Sequence, residues 1–246
     1  MSNRQKLESL LSERGLAAPL RAPAAASGVQ DAEALARLFT EGPPQRAITE
    51  LVPEDGGGGN AGLASMAARI AAVVSHEEGA RLAWVDPQDR WDPASAQAAG
   101  VALEKVLWLR GSPVLAGLSG LGRWHQALGL LIQAGGMNTI VADFSSWPAR
   151  ELRRMPRSAW FQLLRGLERS QRTALLLLAP EPLTQSCAAL VAGLRYGPVV
   201  WQEGSVPRLR QVPVQGRLLR RRFHDSAGRR PARSEAPLHL SLELPA

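Results

Sequence analysis

The sequence has very few residues of the kinds that build metal centres and disulfide frameworks. A single cysteine, Cys187, is present among 246 residues, which excludes an internal disulfide and disfavours a metal cluster. The four histidines, His76, His125, His224 and His239, do not stand at ligand spacing from one another. We therefore expect a metal-free protein in which the cysteine is a small buried hydrophobic residue.

The sequence also lacks long hydrophobic runs. No stretch approaches the roughly 20 apolar residues that a membrane-spanning helix needs. Residues 1–14 are charged and contain no apolar segment of the kind found in secretory signals. We expect a cytoplasmic protein without a membrane partner. Its 246 residues, 45% of them hydrophobic, suffice for one α/β domain with appendages.

Lysine is almost absent, and the arginines are unevenly distributed. Lys6 and Lys105 are the only lysines, and the formal charge of the chain is +7. Residues 1–110 carry 11 basic and 14 acidic side chains, a net charge of −3, whereas residues 150–246 carry 17 arginines and 7 acids, a net charge of +10. A basic C-terminal half of this kind indicates contact with nucleic-acid phosphates or an acidic protein, or a solvated charged surface.

Apolar runs alternate with helical patterns through the middle of the chain. The predicted strands are 47–52, 80–85, 105–110, 138–142 and 173–179, and the predicted helices are 61–77, 93–99, 122–133 and 156–169. Continuously apolar strands that alternate with helices indicate a mostly parallel sheet covered on both faces. Shorter runs at 187–196, 199–201, 209–214 and 218–223 predict antiparallel strands that extend this sheet.

Three regions follow from this pattern. Residues 1–45 are predicted to be a small N-terminal helical extension and linker, with helices at 2–14 and 31–40 and a Pro- and Ala-rich linker at 17–28. Residues 46–225 form the α/β core, and residues 226–246 are an Arg- and Pro-rich C-terminal tail with one apolar run at its end.

A glycine-rich turn follows the first core strand. Gly56, Gly57, Gly58, Gly59 and Asn60 stand between a strand and a helix, which is the context of a phosphate-binding loop with the pattern G-x-x-x-x-G-K-[ST]. Between Pro53 and Ala64 there is no Lys, Ser or Thr. The loss of a charge-assisted contact of about 1.5–3 kcal/mol should weaken triphosphate binding by about one to two decades. The turn is therefore either a ligand-free bend or a vestigial anion site formed by backbone N–H groups.

Three ordered segments resemble the RecA-like family. Residues 50–60 are similar to its strand and phosphate loop, and residues 84–101, with Trp-Val-Asp-Pro-Gln and Trp-Asp-Pro, are similar to its second strand and the turn that follows. Residues 138–143 are similar to a Walker B strand that ends in an acid, Asp143. Within this family the chain most resembles the ImuA proteins, accessory factors of bacterial translesion synthesis, and their relatives, the SulA division inhibitors. The resemblance implies a RecA-like core.

The chain departs from the active members of that family at a second catalytic position. Gln88 stands where RecA-like ATPases carry the glutamate that activates water. An amide cannot accept the proton, so a general-base effect of about 10²–10⁴ in rate is lost. We therefore predict a protein that is not an enzyme and has no cofactor, although weak ATP binding at the glycine turn and Asp143 stays open. Asp86 and Asp143 have either capping roles or a vestigial magnesium-binding role.

The resemblance implies a function in the SOS response and in DNA-damage tolerance. Its candidate partners are a Y-family-like polymerase subunit, an error-prone replicative-type polymerase subunit, the RecA recombinase and DNA. Alternatives are an ATP-dependent RecA-type recombinase or repair ATPase, and a SulA-like division inhibitor. The segments replacing the DNA-binding loops of recombinases, residues 144–156 and 180–187, are short, which disfavours a recombinase.

Arginines in the last third of the core are the candidate partner or DNA contacts. They are Arg208, Arg210, Arg217, Arg220, Arg221 and Arg222. Engagement of about six phosphates would give a log–log salt slope near −5. Trp84, Trp108, Trp124 and Trp147 are predicted to be packing residues. Trp160 and Trp201, which lie among arginines, are the better candidates for a partner contact.

Overall fold

The computed structural model describes residues 26–54, 62–111, 118–184, 186–197, 200–202, 208–221 and 238–243. Its helices are α1 (Ala26–Thr40), α2 (Leu63–Ser75), α3 (Pro93–Ala98), α4 (Leu118–Ala134), α5 (Ala149–Leu152) and α6 (Arg157–Arg169), with one 3₁₀ turn at Leu103–Lys105. Its strands are β1 (Ile48–Pro53), β2 (Leu82–Asp86), β3 (Val106–Arg110), β4 (Thr139–Asp143), β5 (Ala174–Leu178), β6 (Leu190–Tyr196), β7 (Val200–Gln202), β8 (Arg208–Arg221) and β9 (Leu238–Glu243).

The described strands form a single sheet with two parts. Six parallel strands lie in the order β3-β2-β4-β5-β1-β6. The long strand β8 then pairs antiparallel with β6, and both β7 and β9 pair antiparallel with β8. This is the predicted RecA-like α/β fold, a mostly parallel sheet flanked by helices with antiparallel C-terminal strands, and the predicted fold class is confirmed.

The two faces of the sheet carry separate hydrophobic cores. Strands β2, β4 and β5 are buried along their whole length, which explains why their sequences are apolar on both faces. On one face α1, α2 and α3 pack over residues such as Leu51, Trp84 and Leu176. On the other face α4, α5 and α6 pack over residues such as Ile48 and Leu175. The helices thus enclose the sheet and leave its two edges, where the strands begin and end, for loops.

Several predicted boundaries are corrected. The first described helix begins at Ala26, inside the predicted linker, and Ala34, Leu35 and Leu38 on it are buried in the first core. The strands predicted at 209–214 and 218–223 are one strand, β8, because Gln215, Gly216 and Arg217 continue its pairing with β6. A Cβ added at Gly216 would make only ordinary contacts with Leu194 and Leu35, so this glycine is compatible with a regular strand.

The ends of the chain take part in the core. Helix α1 precedes residue 46, yet it packs against α2 and β8. Strand β9 follows residue 226, yet it pairs with β8 from Gly216↔Leu238 to Gln211↔Glu243. The division at 45/46 and 225/226 stays a prediction, and the predicted helix at 2–14 lies outside the described residues. No helix in the described part of the chain is both long and apolar enough to cross a membrane.

Candidate functional site

The carboxyl ends of the parallel strands form the edge where open α/β sheets usually bind ligands. The glycine-rich turn leaves β1 at this edge. Its predicted site residues, Gly56 to Asn60, lie outside the described residues. The structure resumes at Gly62, which caps the N-terminus of α2 with a φ of 100°. A Cβ added at Gly62 would lie 2.4 Å from the ring of Tyr196, so only glycine fits this position.

The start of α2 at Leu63 allows the glycine-rich turn to be aligned with the phosphate-loop pattern. Gly57 and Gly62 are five positions apart, as the glycines of G-x-x-x-x-G-K-[ST] are, and Leu63 and Ala64 follow. A leucine therefore stands at the lysine position and an alanine at the hydroxyl position. Leu63 is fully buried in the first core. The side chain at the lysine position thus contributes to packing and carries no charge.

Tyr196 ends β6 beside this helix start. Its hydroxyl is buried and has no hydrogen-bond partner among the described residues, and burial raises the pKa of the phenol. The phenol is therefore neutral at physiological pH and supplies no anion or cation to the glycine turn. Its contact with Gly62 joins the end of β6 to the start of α2.

Asp143, the predicted Walker B acid, lies at the carboxyl end of β4 and is buried. Its Oδ1 accepts the Ser145 backbone N–H at 3.0 Å and the Ser145 hydroxyl at 2.6 Å. Burial raises the pKa of this carboxyl most, and the charge of Asp86 on the neighbouring strand raises it further, whereas the Ser145 bonds and Arg90 lower it. Asp143 therefore closes the turn after β4.

Asp86 has a similar capping role at the end of β2. Its Oδ1 accepts the backbone N–H of Arg90 at 3.0 Å, and its Oδ2 accepts that of Trp91 at 2.8 Å. These bonds hold the turn 87–91, in which Gln88 is exposed and Trp91 stacks on Trp84 with ring centroids 4.9 Å apart. Both oxygens of Asp86 are thus occupied by the backbone, which favours the structural interpretation of this acid.

Glu50 is a buried acid that the sequence interpretation did not identify. It lies in the middle of β1, is fully buried, and shares a sheet face with Ile48 and Val52. Its Oε1 accepts the Leu183 N–H at 2.7 Å, and its Oε2 accepts the Thr184 N–H at 3.2 Å and the Thr184 hydroxyl at 2.6 Å. Burial raises the pKa of Glu50, and these three bonds lower it. An acid inside an otherwise apolar predicted strand was the signal available in the sequence.

Glu50 anchors the segment that crosses from β5 to β6. These two strands lie on either side of β1, so residues 179–189 pass over β1 on the face of the second core. At the rim Arg153 makes a bidentate ion pair with Glu181. The preceding segment, 144–156, contributes Phe144, Trp147 and Leu152 to the second core. The described residues of both segments, which the resemblance aligns with the DNA-binding loops of recombinases, are therefore packed against or bonded to the body of the protein.

The predicted partner-binding arginines occupy strand β8 and its end. Arg217 forms an ion pair with Glu54, just after β1, at 2.8 Å, and the two side chains are 41% and 17% exposed. Arg220 is exposed. Arg208, Arg210 and Arg221 lie on β8, but their side chains fall outside the described residues, as does all of Arg222. Arg217 and Arg220 are thus brought to one strand but have different surroundings.

The tryptophans and the cysteine in the described part of the chain are mostly buried. Trp84, Trp124 and Trp147 are buried and Trp108 packs partly buried on the first core, as predicted. Cys187 is buried, also as predicted. The prediction for Trp160 was wrong, because this side chain is only 3% exposed and packs in the second core on the inner face of α6. The side chain of Trp201 lies outside the described residues.

Neither a metal-binding cluster in the described residues nor a match to a known protein identifies a function for the chain. Among the described residues, no three His, Cys, Asp or Glu side chains are grouped so that they could hold a metal ion. No protein-family model matches the sequence, and no curated protein matches it significantly. The functional interpretation therefore depends on the geometry of the carboxyl edge and on the family resemblance carried by the motifs.

Proposed function

We propose that this chain is a non-catalytic RecA-like accessory protein of the SOS response that acts in error-prone translesion synthesis. The observation that carries the non-catalytic part is Leu63, a fully buried core residue at the lysine position of the phosphate-loop pattern, whereas the role in translesion synthesis rests on the family resemblance. Without that lysine, a triphosphate at the glycine turn lacks the ammonium group that contacts its β- and γ-phosphate oxygens. The alanine that follows removes the hydroxyl that would hold magnesium.

Other contacts support the absence of nucleotide hydrolysis. Gln88 lies exposed in the turn after β2 and cannot accept a proton from water. The Oδ1 atom of Asp143 accepts two hydrogen bonds from Ser145, and both oxygens of Asp86 accept backbone N–H groups. In this arrangement the acids stabilise turns of the protein. A cytoplasmic protein with no catalytic residue and no required cofactor follows from this proposal.

The proposed role is to hold other proteins together. The sheet, covered on both faces, is a rigid platform, and the arginines of β8 provide its candidate contact surface. The proposed partners are a Y-family-like polymerase subunit and an error-prone replicative-type polymerase subunit, with the RecA recombinase and DNA as further candidates. The segments 144–156 and 180–187 favour this role over that of a recombinase, because they are short and their described residues pack in the second core or bond to the body of the protein.

The experiment that tests the proposal is an affinity pull-down of the tagged full chain from DNA-damaged cells, with partners identified by mass spectrometry. Recovery of the two polymerase subunits, or of the recombinase, is expected. Recovery of a tubulin-like GTPase alone would support the SulA-like alternative, and recovery of none of these would overturn the proposal.

A measurement of ATP turnover tests the non-catalytic part separately. The purified chain should show no turnover above background, with or without single-stranded DNA. Turnover that Asp143→Ala abolishes would identify an ATPase with an atypical loop and would contradict the proposal. A chain that captures the polymerases and also hydrolyses ATP would retain the partner assignment and lose the non-catalytic one.

A further inference from the structure

A concave region lies at the opposite edge of the sheet, where the parallel strands begin. It is a cleft of about 1000 Å³ bounded by the C-terminal ends of α4 and α6. Its walls include Arg81, which precedes β2, Asn138, which precedes β4, and Thr173, which precedes β5. The cleft is thus a strand length away from the carboxyl end of β1. A ligand in the cleft would therefore bind independently of any nucleotide at the carboxyl edge.

Four arginines line this cleft without an acidic residue among the lining side chains. They are Arg81, Arg165, Arg169 and Arg172. All four are exposed, and none of them forms an ion pair within the described residues. One cation near a helix C-terminus is favoured by the helix dipole, and Arg169 in the last turn of α6 has this place. The other three arginines have no such partner, and their mutual repulsion would be relieved by a bound polyanion.

The backbone and neighbouring amides hold the wall of the cleft in shape. The Asn138 N–H donates to the Arg81 carbonyl at 2.8 Å, and the Arg81 N–H donates to the Asn138 Oδ1 at 3.0 Å. This reciprocal pair fixes the backbone of Arg81 at the rim. The Nδ2 group of Asn138 is a buried donor without a partner in the described structure. The backbone that carries Arg81 is therefore fixed at the wall of the cleft, next to a buried amide donor.

The rest of the lining supplies both donors and acceptors. Gln133, Gln162, Gln171 and Ser170 are part of it. Gly135 and Gly136 follow α4 with φ values of 69° and 79°, and a Cβ added at either would meet nothing within 4 Å. A ligand can therefore approach the backbone closely at these glycines. Nucleic acid presents phosphates, which need cationic donors, together with base edges that both donate and accept hydrogen bonds, and the lining offers groups for both.

We propose that this amino-edge cleft binds single-stranded nucleic acid, with the four arginines on its phosphates and the amides on its exposed base edges. Arginine is suited to this role because its planar guanidinium group pairs with phosphate and stacks on bases. A cleft of about 1000 Å³ is at the upper end of the range for small-ligand pockets, about 300–1,000 Å³. It would therefore hold a few nucleotides of a strand, with the rest running over the basic rim. The proposal does not require that the chain hydrolyse or bind ATP.

The test is fluorescence anisotropy of a labelled oligothymidine titrated with the full chain at several salt concentrations. The variant is Arg165→Glu with Arg169→Glu, and the matched control is Arg123→Glu with Arg150→Glu. All four residues are exposed, and the control pair lies outside the cleft. Both double variants change the net charge equally, so a difference between them reports position. Circular dichroism and chemical unfolding of each variant verify that it is folded.

We expect the cleft variant to lose at least about tenfold in affinity and the control to lose less than about threefold. The salt slope of single-strand binding should fall by about 0.7 for each phosphate contact removed, about 1.4 in total. Equal losses in the two variants, or no binding by the wild type, would overturn the proposal. So would displacement of the oligonucleotide by polyglutamate as effectively as by unlabelled strand, since that result would indicate an acidic protein segment. Oligouridine in place of oligothymidine distinguishes RNA from DNA.

Discussion

The two edges of the parallel sheet differ in how their polar groups are used. At the carboxyl edge Asp86, Asp143 and the nearby Glu50 all accept hydrogen bonds from the protein's own turns. At the amino edge four arginines surround a cleft and have no acidic partner within the described residues. Ligand sites are expected at the carboxyl edge of such sheets. Here the side chains at that edge stabilise the fold, and the groups without internal partners lie at the other edge.

The difference arises from burial as well as from partners. Glu50 and Asp143 are removed from water, and burial raises the pKa of both. A carboxylate in such a place is stable only if N–H and O–H groups compensate for the lost hydration. The four cleft arginines keep their hydration, so they need no internal partner and remain available.

Substitution of Leu63 with lysine should give the largest loss of stability. The variant restores the missing residue of the phosphate loop but removes a fully buried side chain from the first core. Loss of its burial and desolvation of an ammonium group should together lower the free energy of unfolding by about 3 kcal/mol or more. Urea unfolding measures this effect. Ala64→Ser, at the half-buried next position, is the control and should change stability by less than about 1 kcal/mol.

An outcome of the opposite kind would change the interpretation of the carboxyl edge. If Leu63→Lys stayed as stable as the wild type and gained ATP binding, the side chain at this position would be able to turn towards the glycine loop. The edge would then be a nucleotide site that lacks one residue, and the comparison between the two edges would fail.

Removal of the Glu50 side chain should have the next largest effect. Glu50→Ala leaves the Leu183 and Thr184 N–H groups without their acceptor in a buried place. Each orphaned donor costs about 1–3 kcal/mol, so we expect a loss of about 2–4 kcal/mol in the free energy of unfolding. The matched control is Glu77→Ala at an exposed position, which should lie within about 0.5 kcal/mol of the wild type. Equal stability of the two variants would show that Glu50 does not anchor the β5–β6 crossover.

The pH dependence of stability should report the burial of Glu50. Because burial raises its pKa in the folded state above the usual 4.5, its contribution to stability is complete below pH 4.5 and is lost as the pH rises through the folded-state value. The side chain of Glu50→Gln cannot ionise, so this variant lacks the pH-dependent contribution of residue 50 to the free energy of unfolding. The stability of the wild type relative to Glu50→Gln should therefore fall as the pH rises above 4.5, as measured by urea unfolding at each pH. A difference that stays constant or grows with pH would contradict the raised pKa. Asp143, whose pKa is also raised by burial, is present in both proteins, so its contribution cancels when their stabilities are subtracted.

Much of the fold was accessible from the sequence because its signals are local. The buried strands of the parallel sheet are apolar on both faces, and the five predicted between 47 and 179 agree with β1 to β5 within about two residues at each end. The continuity of β8 was missed because Gln215, Gly216 and Arg217 interrupt the apolar pattern, while the pairing with β6 and β9 that carries the strand through them is long-range. Trp160 was misassigned because the arginines near it in the sequence suggested a surface position. In the helix Trp160 lies instead on the apolar inner face of α6.

The sites were less accessible, since they depend on residues far apart in the chain. Glu50 finds its partners 133 and 134 positions away, and no spacing rule connects them. The cleft arginines come from the turn before β2, from α6 and from the turn after α6. They line the same cleft because β2, β4 and β5 are neighbours in the sheet, and the sequence does not show this order. The lysine position of the phosphate loop could be counted from the sequence, but the burial of Leu63 could not.

The smallest expected effect compares two arginines of β8 that the sequence could not distinguish. Arg217 is paired with Glu54, and Arg220 is exposed without an ion pair among the described residues. Arg217→Ala should lower the free energy of unfolding by up to about 1 kcal/mol, because the pair is partly exposed, and Arg220→Ala should have an effect below about 0.5 kcal/mol. For binding of the partner, by contrast, Arg220→Ala should have the larger effect of the two variants. The charge of Arg217 is already neutralised, so only Arg220→Ala should weaken a salt-dependent contact with the proposed partner or with DNA. If both variants reduced binding equally, the Glu54 pair would open on contact, and the carboxyl edge beside it would belong to the partner surface.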